Sequence, residues 1–143
     1  MIVVDASVLA NAIGDDAEAG RQARDLLREH REVAAPDLVD VETTAVLRRR
    51  WLAGTLTDER FEQAVDDLAD IPLARFPARG LMRRAFELRA KVTAYDACYV
   101  ALAEALGWPL CTADRRLTRA TGPRCTMHLI APPATRTGPP GSG

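Results

Sequence analysis

The chain is poor in the residues that most enzymes use for acid–base or nucleophilic work near neutral pH. It has two histidines, and its three cysteines, Cys98, Cys111 and Cys125, form no C-x-x-C pair. Neither a zinc site nor a disulfide framework is suggested, and a reducing cytoplasm is the expected setting. No His pair, no Cys partnered with a His and no Gly-rich phosphate loop is in evidence. Aromatic residues make up only 5% of the 143 positions, so base stacking is not an obvious source of specificity. Lysine occurs once, at Lys91, and the other basic side chains are arginines, which suits bidentate phosphate contacts and equally reflects a biased genome. No apolar run approaches membrane-spanning length, and the opening MIVVDASVLANAIGDD lacks a basic stretch before its apolar residues. Neither a membrane span nor a signal peptide is therefore expected, and the mature protein is expected to begin at Met1. A net charge of −1 excludes nothing, because a balanced total can hide a charged groove.

What is present is a hydrophobic fraction of 48%, enough for one unstapled core, hence one domain. Ile2–Val4 is a β-branched run closed by Asp5, the pattern of a strand buried on both faces of a parallel sheet. Further short strands are expected at 33–35 and 110–112 and a last one at 127–130, with 71–76 either an edge strand or an extended connection. Helices are expected over 8–13 with Ser7 as cap, around Ala23 to His30, over 36–53, from the Thr57 cap through Leu68, over 80–91, and over 93–106 with Gly107 as terminator. This alternation implies an α/β/α sandwich around a mostly parallel central sheet flanked by helices, occupying residues 1–131. Residues 132–143, rich in Pro and Gly, are expected to form a disordered tail.

Four acids have placements that cost something unless they share a task. Asp5 and Asp114 follow the ends of apolar strands, where ligands bind in open parallel sheets. Glu42, at about 100° per residue, falls in the arc of Leu38, Val41, Ala45, Val46 and Leu52, which sets a carboxylate toward the apolar side of its helix. Asp96 lies in the first turn of its helix, where the macrodipole favours negative charge. Each has a plain structural alternative: Asp5 and Asp114 as helix caps, Asp96 in a capping box with Thr93, Glu42 paired with an arginine. One site explains all four at once. Hard divalent cations take oxygen ligands, so the quartet points to metal-assisted hydrolysis around one or two Mg²⁺ ions.

The segments VVDASVL, PDLVDVETTAVLRR and TAYDACYVALAEALGWPLCTADRRL, in that order and spacing, resemble PIN-domain proteins, especially the VapC-type toxins of bacterial toxin–antitoxin pairs. The likeness spans about residues 2–130. It implies a PIN-like fold and a metal-dependent endoribonuclease that hydrolyses RNA through a metal-activated water. It also implies that Asp5, Glu42, Asp96 and Asp114 bind Mg²⁺, or Mn²⁺ in its place, with the Ser7 and Thr112 hydroxyls in support. Where many members carry a further acid or Asn after the last aspartate, this chain has Arg115 and Arg116, which favours a single ion. The resemblance further implies a cognate small antitoxin that covers the site.

Arg48, Arg49 and Arg50 end the Glu42 helix, and Arg115, Arg116 and Arg119 follow Asp114; Arg48, Arg49, Arg115, Arg116 and Arg119 are candidate RNA contacts. The alternative for each cluster is a solvated helix face. Tyr95 and Tyr99 flank Asp96 as the stacking candidates, with core packing the better role for Tyr99. Leu47, opposite Leu38, suggests buried contact beyond one layer, hence a homodimer seam or antitoxin groove. Two rival functions are open on these residues. A receiver domain needs a lysine after a late strand and paired aspartates after the first, both missing here. A catalytically silent PIN-like binding or scaffold module stands as the alternative, against which all four acids are retained.

Overall fold

The computed structural model describes residues 1–130; the tail expected at 132–143 lies outside them. Five strands form one parallel sheet in the order β3-β2-β1-β4-β5: β1 (Ile2–Val4), β2 (Val33–Pro36), β3 (Ala74–Phe76), β4 (Leu110–Thr112) and β5 (Met127–Leu129). Val3 is the pivot of the register, opposite Ala34 on one side and Leu110 on the other. The three central strands are buried at every residue, as continuous apolar runs require in a sheet covered on both faces. The outer strands β3 and β5 are partly exposed, and residues 74–76 are the edge strand that 71–76 left open.

The helices are α1 (Ala6–Gly14), α2 (Glu18–Glu29), α3 (Val39–Leu52), α4 (Asp58–Asp70), α5 (Met82–Glu87), α6 (Ala94–Leu106) and α7 (Arg115–Thr118). Strand order runs outward from β1 to β3, then reverses to β4. Right-handed crossovers therefore put α1–α4 on one face and α5–α7 on the other. Packing agrees, since α1 contacts α2, α3 and α4, and α5 contacts α6. The reversal makes β1 and β4 a topological switch point, whose carboxyl ends are where such sheets bind ligands.

Several local expectations change. Asp5, not Ser7, caps α1, its carboxylate accepting from the Ser7 and Val8 amides; Ser7 lies inside the first turn. The helix expected over 80–91 is a 3-10 turn at Ala78–Leu81, the short α5, and then further turns, in which Lys91 N–H closes on Leu88 O at 2.8 Å. Lys91 thus stands on a loop. On α3 the buried stripe is Val39, Thr43 and Leu47, while Val41 is 74% and Leu52 58% exposed. Leu47 is wholly buried, so it forms no seam. Apolar residues are scattered around all sides of α3, and without a dominant face the angular position alone selects the wrong arc. Thr57 and Thr93 cap α4 and α6 as expected, and Gly107 ends α6 at φ +68°, a conformation glycine takes without strain. Among the described residues no helix is long and apolar enough to cross a membrane.

Candidate active site

Helix capping and strand ends together carry four carboxylates to the carboxyl rim of the sheet. Asp5 leaves β1 nearly buried, 5% exposed. Its Oδ1 accepts from the Ser7 amide (3.1 Å), the Val8 amide (3.3 Å) and the Ser7 hydroxyl (2.5 Å), and its Oδ2 accepts from the Thr112 hydroxyl at the end of β4. The same hydroxyls accept from the chain beyond β4, Ser7 Oγ from Ala113 N at 2.9 Å and Thr112 Oγ1 from Asp114 N at 3.0 Å. Two small hydroxyl side chains therefore stitch the switch point together and fix the orientation of Asp5. Burial outweighs these hydrogen bonds, and the Asp5 carboxyl is pushed up to about 6, with the negative charge of Asp96 adding to the rise.

Asp96 sits in the first turn of α6, where Thr93 Oγ1 accepts from its amide at 3.1 Å. Its pKa is raised, first by burial and then by the charge of Asp114, with Thr93 and Arg116 acting in the opposite sense. Glu42, in the first turn of α3, is half-buried at the border of the buried stripe. Its Oε1 accepts from the Tyr99 hydroxyl at 2.7 Å. Burial raises Glu42, opposed by the Tyr99 hydrogen bond, with Asp96 raising it and Arg49 lowering it further down the scale. Asp114 caps α7, accepting from the Arg116 amide at 2.9 Å, and the Arg116 guanidinium stands 3.7 Å away. Asp96 is the common neighbour: Asp5 and Glu42 both feel its charge, and it feels that of Asp114.

Both readings of these acids hold together, since Asp5 and Asp114 are caps and are also members of one electrostatic cluster. Among the described residues Asp5, Glu42 and Asp96 have no ion-pair partner. Nor do any three acids, histidines or cysteines stand close enough to ligate an ion unaided. Like charges held in a partly desolvated site repel, and such a set still suits a hard cation, which takes one or two carboxylates and completes its shell with water and substrate oxygens. The donor set is all oxygen, as Mg²⁺ or Mn²⁺ chemistry requires.

Of the arginines expected at the site, Arg116 shares a cleft with Asp96 and Asp114. Arg49 is near enough to Glu42 to lower its pKa. Arg48, Arg115 and Arg119 are exposed and do not line that cleft. Arg50 turns inward, donating to Ala10 O at 3.2 Å and Asn11 Oδ1 at 2.6 Å, where it holds the end of α1. Tyr95 is 62% exposed, and Tyr99 is 1% exposed. Burial, the hydrogen bond to Glu42 and its charge raise the Tyr99 hydroxyl far above its usual range, so it stays a neutral donor. That donor role, across 57 residues of sequence, has no local signal. Arg89 and Lys91, also on the cleft, escape a reading of the sequence because the turn after α5 has the composition of a helix.

A PIN-domain family model matches residues 2–123, and with this sheet order and acidic rim the chain belongs to the PIN-domain family. Within it, the chain is 39% identical over 130 residues to VapC ribonuclease Mb0985 of Mycobacterium bovis, covering 91% of this chain and 98% of the relative. Among solved structures it is similar to VapBC2 from Rickettsia felis bound to a DNA fragment from their promoter, at TM-score 0.65 and 16% identity over 92% of this chain and 100% of that one. It is also similar to Mycobacterium tuberculosis VapC20, a sarcin–ricin loop cleaving toxin, at TM-score 0.63 and 19% identity over 83% and 94%. VapC nucleases of the PIN-domain family are metal-dependent as a class.

Proposed function

We propose that the protein is the toxin of a type II toxin–antitoxin pair, a VapC-type endoribonuclease that hydrolyses RNA phosphodiester bonds at the Asp5–Glu42–Asp96–Asp114 rim with Mg²⁺, or Mn²⁺ in its place. The observation that carries the site is the shared field of Asp96 with three other carboxylates, among which only Asp114 has an ion-pair contact, to Arg116. Family membership and the ribonuclease names of relatives near 39% identity carry the reaction class. Asp5, Asp96 and Asp114 hold the ion, with Glu42 completing the acidic ring. Ser7 and Thr112 orient Asp5, and Tyr99 orients Glu42. When bound, a divalent ion supplies positive charge that lowers the pKa of a water and offsets charge developing on the phosphoryl oxygens. The carboxylates must be ionised to hold it, so the raised pKa of Asp5 gives way on binding.

A small cognate antitoxin covering the acidic rim is the partner this reading requires, and the VapBC2 pair supplies the precedent in the fold. The exposed Val41, Trp51 and Leu52, rather than Leu47, are the apolar side chains that α3 offers to a homodimer or larger toxin–antitoxin assembly. An RNA-cleaving toxin acts in the cytoplasm. Purified, antitoxin-free protein incubated with total cellular RNA tests the proposal. Discrete fragments that require Mg²⁺ or Mn²⁺, disappear with EDTA and are absent with Asp96→Asn are expected. Cleavage that persists in EDTA, or is unchanged in the variant, overturns it.

A further inference from the structure

The cleft beside Asp96 and Asp114 has a wall of opposite sign. It measures about 490 Å³, and Arg89, Lys91, Thr93 and Arg116 line it together with the two acids. Neither Arg89 nor Lys91 has an ion-pair partner among the described residues, and Arg116, with its side chain 93% exposed, has only the 3.7 Å contact to Asp114. One of the three cations, Arg89, is held in place by the chain itself. The Arg89 guanidinium lies 4.0 Å from the centre of the Phe86 ring, and its Nη1 donates to Phe86 O at 2.9 Å. Stacking of this kind leaves the outer N–H groups of a guanidinium free to donate.

The stem of Lys91 runs along Gly122. A Cβ at Gly122 would stand 3.4 Å from Lys91 Cγ and 3.2 Å from Leu88 Cδ2, and its φ of +103° is one that other residues avoid. The loop after α7 thus packs on the lysine stem through a backbone conformation that favours glycine. Among the described residues no carboxylate forms an ion pair with either side chain, although Asp96 and Asp114 share their cleft. Exposed cations without a close ion-pair partner, lining a cleft beside two acids, fit a ligand that is itself a polyanion.

We infer that the turn at residues 88–91 is the phosphate clamp of the site: Arg89 and Lys91 bind the backbone of single-stranded RNA one step from the scissile phosphate. The inference rests on the ribonuclease reading and assigns its substrate-binding residues. An RNA strand approaching a rim of four carboxylates is repelled, and nearby cations offset that repulsion. The cleft has the volume of a small-ligand pocket, on the scale of a single nucleotide and far short of a duplex, which is gripped across successive grooves. Arg89 suits two oxygens of one phosphate, and Lys91 acts as a point charge on the next.

The test measures binding of a fluorescein-labelled single-stranded RNA oligonucleotide to full-length Asp96→Asn protein, as a function of salt, alone and with Arg89→Ala plus Lys91→Ala. Arg28→Ala plus Arg31→Ala, two exposed arginines before β2 at the opposite rim, is the charge-matched control. The double substitution is expected to weaken binding about tenfold or more and to flatten the salt dependence by about 0.7 for each phosphate that is no longer neutralised. The control is expected to change neither. In the Asp96-intact protein the same pair raises KM with kcat little changed. Thermal melting of each variant confirms that the fold is kept. If Asp96→Asn abolishes cleavage yet the double variant binds with unchanged affinity and salt slope, the clamp is wrong and the nuclease stands. If Asp96→Asn cleaves like the wild type, the nuclease reading itself fails.

Discussion

Helix α6 carries an acid near each end, and the two meet opposite fates. Glu104, near the carboxyl end, is gripped by Arg84, whose Nε and Nη2 donate to it at 2.8–3.0 Å. It borders the larger cavity of the two ends, about 700 Å³, beside Arg124, Cys125 and His128. Asp96, two turns earlier, has no such partner and shares a cleft of about 490 Å³ with the Asp114 carboxylate. Volume therefore favours one end of the helix, and charge left without a counterion favours the other, the end proposed as the active site. A structural acid is placed where its partner already waits. A functional one is placed where the partner must arrive.

Asp96→Asn is the largest perturbation that separates the two ends. RNA cleavage is expected to fall at least about a hundredfold, while the metal-free variant melts at the same temperature as the wild type or above it, because a repulsion has been removed. A variant that loses activity together with several degrees of stability would show that Asp96 is structural, like Glu104. Tyr99→Phe sharpens the comparison next. It deletes the single hydroxyl that holds Glu42 and keeps the packing, so metal affinity, read by calorimetry, is expected to weaken about tenfold with little change in melting temperature.

Acidity distinguishes the ends in a third way. In the folded, metal-free protein Asp5 keeps its proton to about pH 6, whereas in the unfolded chain it ionises near its ordinary value of 3.8. Between those values the native state binds more protons, so stability falls as the pH rises through the window and levels off above it. The Asp5 contribution to that fall is roughly 3 kcal/mol. Melting curves from pH 4 to 7 check it, and Asp5→Asn is expected to remove most of the slope. The smallest effect belongs to the other end of α6: Glu104→Gln weakens a partly buried ion pair, costs about 1 kcal/mol, and leaves cleavage unchanged.

Legibility in the sequence follows the range of the interaction. The central strands are readable because a strand buried on both faces is a bare apolar run, as at Ile2–Val4 and Leu110–Thr112. Asp5 and Asp114 can be placed because strand ends set their positions, and Asp96 because Thr93 marks the start of its helix. The face of α3 misleads, since Thr43 takes a buried position while Val41 and Leu52 face outward. Lys91 is hidden by a helix that stops earlier than its composition suggests, at Glu87. The Tyr99–Glu42 and Arg84–Glu104 pairs join residues far apart in sequence, and only the folded chain brings them together.

The central claim is that Asp96 organises a cation site from carboxylates that the protein leaves unneutralised. Calorimetric titration of Mn²⁺ into the wild type, Asp96→Asn and Glu104→Gln tests it most directly. The account predicts binding by the wild type and by Glu104→Gln with matching affinity, and at least a tenfold loss in Asp96→Asn. Equal binding by all three proteins would contradict it, as would a wild type that takes up no ion at millimolar concentration.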